Sequence, residues 1–178
     1  MIAKVDADAP NGKATAKKYG VTSYPTIKFF PAGSTEAVAY EGGRNEKDFV
    51  QYVNDKAGTH RVPGGGLDSN AGTIGALDNV IAKLTGSNIA EIASEVSAEA
   101  EKLKETAQYK YAEYYVRVFD KLSKSDNYAA KELARLDGIL SKGGLAPSKR
   151  DELQSKTNVL RKFVQQLTEK VKETKDEL

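Results

Sequence analysis

Few side chains in this sequence could carry chemistry, and the residue types that are missing decide most of what it can do. Among 178 residues there is no cysteine and a single histidine, His60. Thiolate exchange, Cys–His nucleophile pairs and cysteine-based zinc sites all need a sulfur that the chain lacks. His60 opens a glycine-rich stretch with no second ligand beside it, so neither a metal site nor a cofactor is expected. Gly64-Gly65-Gly66 is not followed by the Lys-Ser/Thr of a phosphate-binding loop. The carboxylate pair Asp151-Glu152 falls on an exposed helix face without a supporting histidine, and no Asn-x-Ser/Thr glycosylation acceptor occurs.

Three stretches retain binding chemistry. The first is Tyr19-Gly20-Val21-Thr22-Ser23-Tyr24-Pro25-Thr26-Ile27-Lys28-Phe29-Phe30-Pro31, a polar turn that ends in Tyr24-Pro25 and runs straight into an apolar strand pattern. A proline is tolerated at the first strand position because its missing N–H need not join the ladder. An aromatic residue before a proline in a tight turn also favours a cis peptide bond. The second stretch holds Tyr109, Tyr111, Tyr114 and Tyr115. Tyr115 falls on a core stripe, whereas Tyr111 and Tyr114, three apart, form either an exposed aromatic patch for a partner or a contact with a neighbouring helix. The third is the tail Lys175-Asp176-Glu177-Leu178, which spells the receptor-read address for retention in the endoplasmic reticulum.

The totals narrow the class of partner. With 27 basic and 25 acidic residues the net charge is +2, too balanced for an electrostatic nucleic-acid binder. A hydrophobic content of 39% with 29% charged residues is that of a soluble globular protein, and no apolar run approaches a membrane span. The first residues, Met1-Ile2-Ala3-Lys4-Val5-Asp6, lack the charged and apolar regions of a signal peptide. A retention address is useful only inside the lumen, so Met1 is expected not to be the natural start.

The elements that would position these stretches fall into two sets. Residues 2–6 alternate as a short strand does, residues 13–19 read as a brief helix closed by Gly20, and residues 26–30 and 35–40 pair as a hairpin. Asn45 caps a helix with Asp48 three residues on, and Phe49, Tyr52 and Val53 give it an apolar face. Residues 58–72 are glycine-rich and aperiodic and read as a flexible linker. From Thr73 onward the apolar period becomes helical. Ile74, Leu77, Ile81 and Leu84 form one stripe; Ile89, Ile92, Val96, Ala100 and Leu103 form the next, behind a capping box of Asn88 and Glu91. Ala112, Tyr115, Val116, Phe119 and Leu122 follow. Ser125 is expected to cap a helix with Ala129, Leu133, Leu136 and Leu140 inside, and Pro147 opens a last helix with Leu153, Leu160, Phe163, Val164, Leu167 and Val171 inside. The fold class is therefore an α+β remnant joined to an all-α bundle of five helices.

The order strand, helix, proline loop, hairpin, helix resembles the second half of a thioredoxin domain in the form used by protein disulfide isomerases. The resemblance rests on Lys4-Val5-Asp6, the Tyr24-Pro25 loop and Tyr40-Glu41-Gly42-Gly43-Arg44. It implies that the loop faces a redox Cys-x-x-Cys in the family, and that Ser23, Tyr24 and Pro25 are candidate contacts for an extended peptide. The helical part resembles the C-terminal D domain of endoplasmic reticulum protein 29, carried by some disulfide isomerases ahead of a KDEL-type signal. Its marks are Tyr109-Lys110-Tyr111-Ala112-Glu113-Tyr114-Tyr115-Val116-Arg117-Val118-Phe119 and Lys142-Gly143-Gly144-Leu145. The implied division is 1–57 as partial thioredoxin-like domain, 58–72 as linker, 73–172 as D domain and 173–178 as tail. The central strand of a thioredoxin sheet would lie between residues 2–6 and the hairpin, so residues 1–57 are expected to be the less stable part.

Three functions follow as expectations. The first is a folding factor of the endoplasmic reticulum lumen, acting without redox chemistry on unfolded or secretory clients and read by the KDEL receptor. The second is a fragment of an active thiol-disulfide isomerase whose Cys-x-x-Cys modules lie upstream; the chain alone should be inactive. The third is a purely structural helical interaction domain.

Overall fold

A short hairpin and its covering helix form the centre of the first half of the molecule. In this computed structural model, residues 2–85 and 87–176 are described, residues 170–176 through their backbone alone. The chain divides into two units, Met1–Thr59 and His60–Leu178.

The first unit begins with extended backbone. Residues 2–6, expected as a strand, pair with nothing, and Ile2 and Val5 are 95% and 57% exposed. A strand needs a neighbour for its N–H and C=O groups, and none of the described residues supplies one. Helix α1 (Lys13–Lys18) follows and is ended at Gly20, whose φ of +63° is left-handed. Strands β1 (Lys28–Phe29) and β2 (Val38–Ala39) pair antiparallel, Lys28 opposite Ala39 and Phe29 opposite Val38. The ladder is shorter than the alternating pattern suggested, extended only by the Tyr40 N–H donating to the Ile27 carbonyl at 3.0 Å. Helix α2 (Glu46–Ala57) starts as read: the Asn45 side chain accepts from the Asp48 N–H at 2.9 Å. Its Phe49 and Tyr52 meet the sheet through rings, with Tyr40 stacked on Phe49 at 5.0 Å and Phe29 edge-on to Tyr52 at 5.7 Å.

The second unit holds the hydrophobic core. Five helices build it: α3 (Gly75–Ile81), α4 (Ile89–Glu101), α5 (Tyr109–Leu122), α6 (Tyr128–Lys142) and α7 (Pro147–Asp176). Helix α5 packs against α4, α6 and α7, so it is buried on more than one side. The expected stripes supply the core: Leu77, Leu84, Val96, Leu122, Leu136, Leu160 and Phe163 are all essentially inaccessible, whereas Leu103, Val116, Leu133, Leu140, Val164 and Leu167 are only partly buried, and the side chain of Val171 lies outside the described residues. Phe119 and Phe163 meet edge to face at 5.0 Å, and the Tyr115 ring is tilted against Phe163 at 6.0 Å.

Residues 60–72, where a flexible tether was expected, carry specific anchors to α7. The buried Asn158 side chain donates to the Asp68 and Ala71 carbonyls at 2.8 and 3.0 Å. Arg61 forks onto Asp151, and Gly72 lies so close to α7 that a Cβ there would stand 2.5 Å from Ser155 Cβ. Its φ of +80° is a second reason for glycine. A glycine-rich stretch can thus be a close-packed strap when a buried amide satisfies its carbonyls.

Two expected caps are made differently. The Asn88 side chain turns back from α4: it accepts from the Thr85 N–H at 2.6 Å and donates to the Lys83 carbonyl at 3.0 Å, tying the end of α3. Asn127, not Ser125, precedes α6, and the Ser125 hydroxyl bonds the Asn127 side chain at 3.0 Å.

Candidate functional site

Two places gather the side chains singled out in the sequence, one in each unit. In the first, the turn before β1 is shaped by its own short contacts. The Thr26 hydroxyl donates to the Ser23 carbonyl at 2.6 Å, and the Tyr24–Pro25 peptide is cis, as its setting suggested. The Tyr24 hydroxyl donates to Asp8 Oδ1 at 3.3 Å, while the Tyr19 ring meets Phe30 edge-on at 5.3 Å. Ser23, Tyr24 and Pro25 therefore sit together on the surface, with Tyr24 61% exposed. They present backbone, two hydroxyls and one aromatic ring, and no thiol.

In the second, α5 sends its tyrosines in different directions. Tyr115 is buried; its hydroxyl donates to Asp78 Oδ1 at 2.6 Å and accepts from the Ile74 N–H at 3.1 Å. Burial, then the hydrogen bond to Asp78, raises its pKa far above the ordinary tyrosine value. Lys162 Nζ lies 3.5 Å from the other Asp78 oxygen, so this partly buried corner joins α3, α5 and α7. It is a structural junction in which the Tyr115 hydroxyl both donates and accepts.

The pair Tyr111 and Tyr114 does not form an exposed patch. Tyr114 is only 6% exposed and belongs to the core; Tyr111 is half-buried, packed against that core, with Lys110 Nζ 4.7 Å from its ring centre. The reason is the position of α5 between its neighbours: a second buried face, Tyr114 and Val118, turns toward α6 and α7 beside the expected stripe. The run of apolar and aromatic residues at 114, 115, 118, 119 and 122 was the available signal.

Tyr114 lines a cavity of about 380 Å³ between α5, α6 and α7. Leu136, Ile139, Leu145 and Leu153 supply its apolar wall, and Arg117, Arg135, Lys149 and Lys156 its cations. Most of that charge is already paired. Arg135 forks onto Glu132 with two bonds of 2.7 Å and holds its carboxyl below the usual range. Lys149, at 2.8 Å, and Lys156 flank Glu152 and pull its carboxyl down to about 2. Among the described residues no cluster of side chains could hold a metal ion. Of the tail, Lys175 and Asp176 end α7, and Glu177 and Leu178 lie outside the described residues.

Comparison with known proteins covers both units. The family described as endoplasmic reticulum protein ERp29, C-terminal domain, matches residues 72–163, and the thioredoxin family matches residues 1–55. The chain is 62% identical over 97% of its length to the protein disulfide-isomerase erp38 of Neurospora crassa, covering 47% of that protein. It is 58% identical over 100% of its length to the protein disulfide-isomerase tigA of Aspergillus niger, covering 46% of it. With the protein disulfide isomerase-like 2-2 of Oryza sativa it shares 41% over 92% of its length, covering 44%. The chain thus spans about half the length of the curated relatives it matches.

Proposed function

The chain belongs to the protein disulfide isomerase family, in the form that joins thioredoxin sequence to an ERp29-type C-terminal helical domain, and from that premise we propose that it is a protein-folding factor that binds clients without redox chemistry. The observation that carries this reading is a helical unit with a continuous buried core in a chain with no cysteine. What can act in such a chain is a surface.

The working parts of the proposal are specific. Ser23, Tyr24 and Pro25 take an extended peptide, supported by their common exposure at the edge of a short hairpin. Tyr111 contributes to a partner surface on α5, supported by a ring that is only half-buried; Tyr114, being in the core, does not. The clients are unfolded or secretory proteins, and the compartment is the endoplasmic reticulum lumen, with Lys175, Asp176, Glu177 and Leu178 as the address read by the KDEL receptor. The functional modules are a thioredoxin-like part over 1–57 and a helical D domain over 73–172, followed by the tail 173–178. No described helix is long and apolar enough to cross a membrane.

The test is suppression of aggregation of a denatured client by the full chain. Suppression that falls in Tyr24→Ala and Tyr111→Ala supports the proposal, and no suppression at stoichiometric amounts overturns it. For the address, a lumen-targeted form is retained, and removal of residues 175–178 releases it to the medium.

A second reading is favoured by the lengths. Relatives named disulfide isomerases are about twice as long as this chain, so it would be a segment of an active isomerase whose Cys-x-x-Cys modules lie upstream. Reduction of insulin by the product of the complete gene, beside this chain alone as the blank, decides that reading.

A further inference from the structure

We propose that the cavity between α5, α6 and α7 binds an amphipathic carboxylate, with its apolar part against Leu136, Ile139, Leu145 and Leu153 and its anionic end between the Tyr114 hydroxyl and Arg117. Tyr114 is more than nine-tenths buried, yet its hydroxyl has no hydrogen-bond partner among the described residues. A buried hydroxyl without a partner is costly, and phenylalanine would fill the same space without that cost. An unspent donor at the wall of a cavity therefore points to an acceptor that arrives from outside.

The charge around it selects the acceptor. Arg117 lies one turn beyond Tyr114 on α5, lines the same cavity, and makes no ion pair among the described residues. The other cations are engaged: Arg135 by Glu132, and Lys149 and Lys156 by Glu152. A carboxylate accepts from a hydroxyl and pairs with a guanidinium at once. A neutral apolar ligand would leave the Tyr114 hydroxyl unpaired, and a cation would meet four basic side chains against the single carboxylate of Glu132. Burial raises the Tyr114 pKa, so the hydroxyl keeps its proton and donates at neutral pH.

Size and access agree with this ligand. A cavity of about 380 Å³ is at the small end of ligand pockets, room for one large apolar side chain or a short acyl chain. Lys156 Nζ stands 5.5 Å from the Tyr114 ring centre, and Tyr128 is half-buried beside it. The proposal requires these side chains to turn aside for the carboxylate to reach the hydroxyl. The same chemistry is offered by a free acyl carboxylate and by the C-terminal apolar residue of a peptide. The site is independent of client binding at Tyr24 and Tyr111, so either proposal can fail alone.

The experiment titrates the isotope-labelled full chain, observed by NMR, with octanoate, with N-acetyl-Ala-Ala-Leu and with the C-terminal amide of that peptide. Saturable shifts of α5 and α6 amides lining the cavity are expected with a carboxylate probe and not with the amide. Octanoate alone assigns free acids, the peptide acid alone assigns chain ends, and both together support the shared chemistry. Tyr114→Phe and Arg117→Gln should each weaken binding about tenfold. Tyr114→Phe should also melt no lower than the parent, because it removes only an unpaired hydroxyl. Silence with both carboxylate probes overturns the proposal, as does unchanged affinity in both variants. A clear loss of stability in Tyr114→Phe overturns it too, since the hydroxyl would then have an internal partner.

Discussion

The two units bury their apolar side chains in different ways. In His60–Leu178 the apolar stripes of five helices converge, and the rings of Tyr115, Phe119 and Phe163 interlock at the centre. In Met1–Thr59 neither helix has a buried residue, and Ile2, Val5, Phe30, Val38 and Val53 all lie open. The apolar residues of this unit are of the same types and show similar local patterns. What differs is whether a second surface meets them, since a hairpin with one helix on it has only a single covered face. Burial is a property of pairs of surfaces, and local pattern supplies one of each pair.

Hydrogen exchange should show the largest contrast. Amides of residues 2–6 have no backbone partner and should exchange at nearly unprotected rates. Those of α5 should open only with the whole helical unit, slower by at least about three orders of magnitude. Uniform protection across residues 2–30 would break the comparison.

Cavity-forming substitutions come next. Phe163→Ala removes a fully buried ring and should cost about 3–5 kcal/mol in denaturant unfolding of the helical unit. Phe29→Ala, at a half-buried position, should cost roughly 1 kcal/mol or less. Equal costs would mean that the first unit has a core of comparable quality.

Asn158→Ala sharpens the boundary between the units. It strips the Asp68 and Ala71 carbonyls of their shared donor and should cost about 1–3 kcal/mol. Limited proteolysis should then cut within residues 60–72, where the parent is expected to resist; an unchanged cleavage pattern would restore the picture of a free tether.

The smallest effect is electrostatic. The Glu152 carboxyl is held at about 2 against an ordinary 4.5, so it contributes stability above about 4.5 that is lost as pH falls through that interval. Its side chain is 43% exposed, which screens the pair to less than about 1 kcal/mol. Glu152→Gln should flatten that part of the acid limb in the helical unit and leave neutral-pH stability nearly unchanged. A larger loss at pH 7 would show that the first turns of α7 depend on this carboxylate between its two lysines.

Much of the molecule was legible in the residues, for identifiable reasons. The stripes through Leu77, Val96, Phe119, Leu136 and Leu160 follow from the 3.6-residue period, which is local. So do the Asn45 cap and the surface turn at Tyr24-Pro25, whose determinants lie within a few residues. The second buried face of α5 was not legible, because Tyr114 is inside only by virtue of α6 and α7 lying across it. Asn88 carries the right residue for an N-cap and spends its side chain on α3 instead, a choice made by the turn between helices. The strap over residues 60–72 was hidden for a similar reason: its partners, the donor Asn158 and the acceptor Asp151, lie about ninety residues away along the chain.

By itself the sequence determined that this chain carries no thiol chemistry, that a hairpin part precedes a helical part, and which helix faces seek cover. Composition and short-range periodicity are enough for that. Only the tertiary structure decided that residues 60–72 are anchored, that Tyr115 is fully bonded, and that Tyr114 stands at a cavity wall with a hydroxyl unpaired among the described residues. Those outcomes depend on groups far apart in the chain meeting at one place, where burial sets the cost of every polar atom left unpaired.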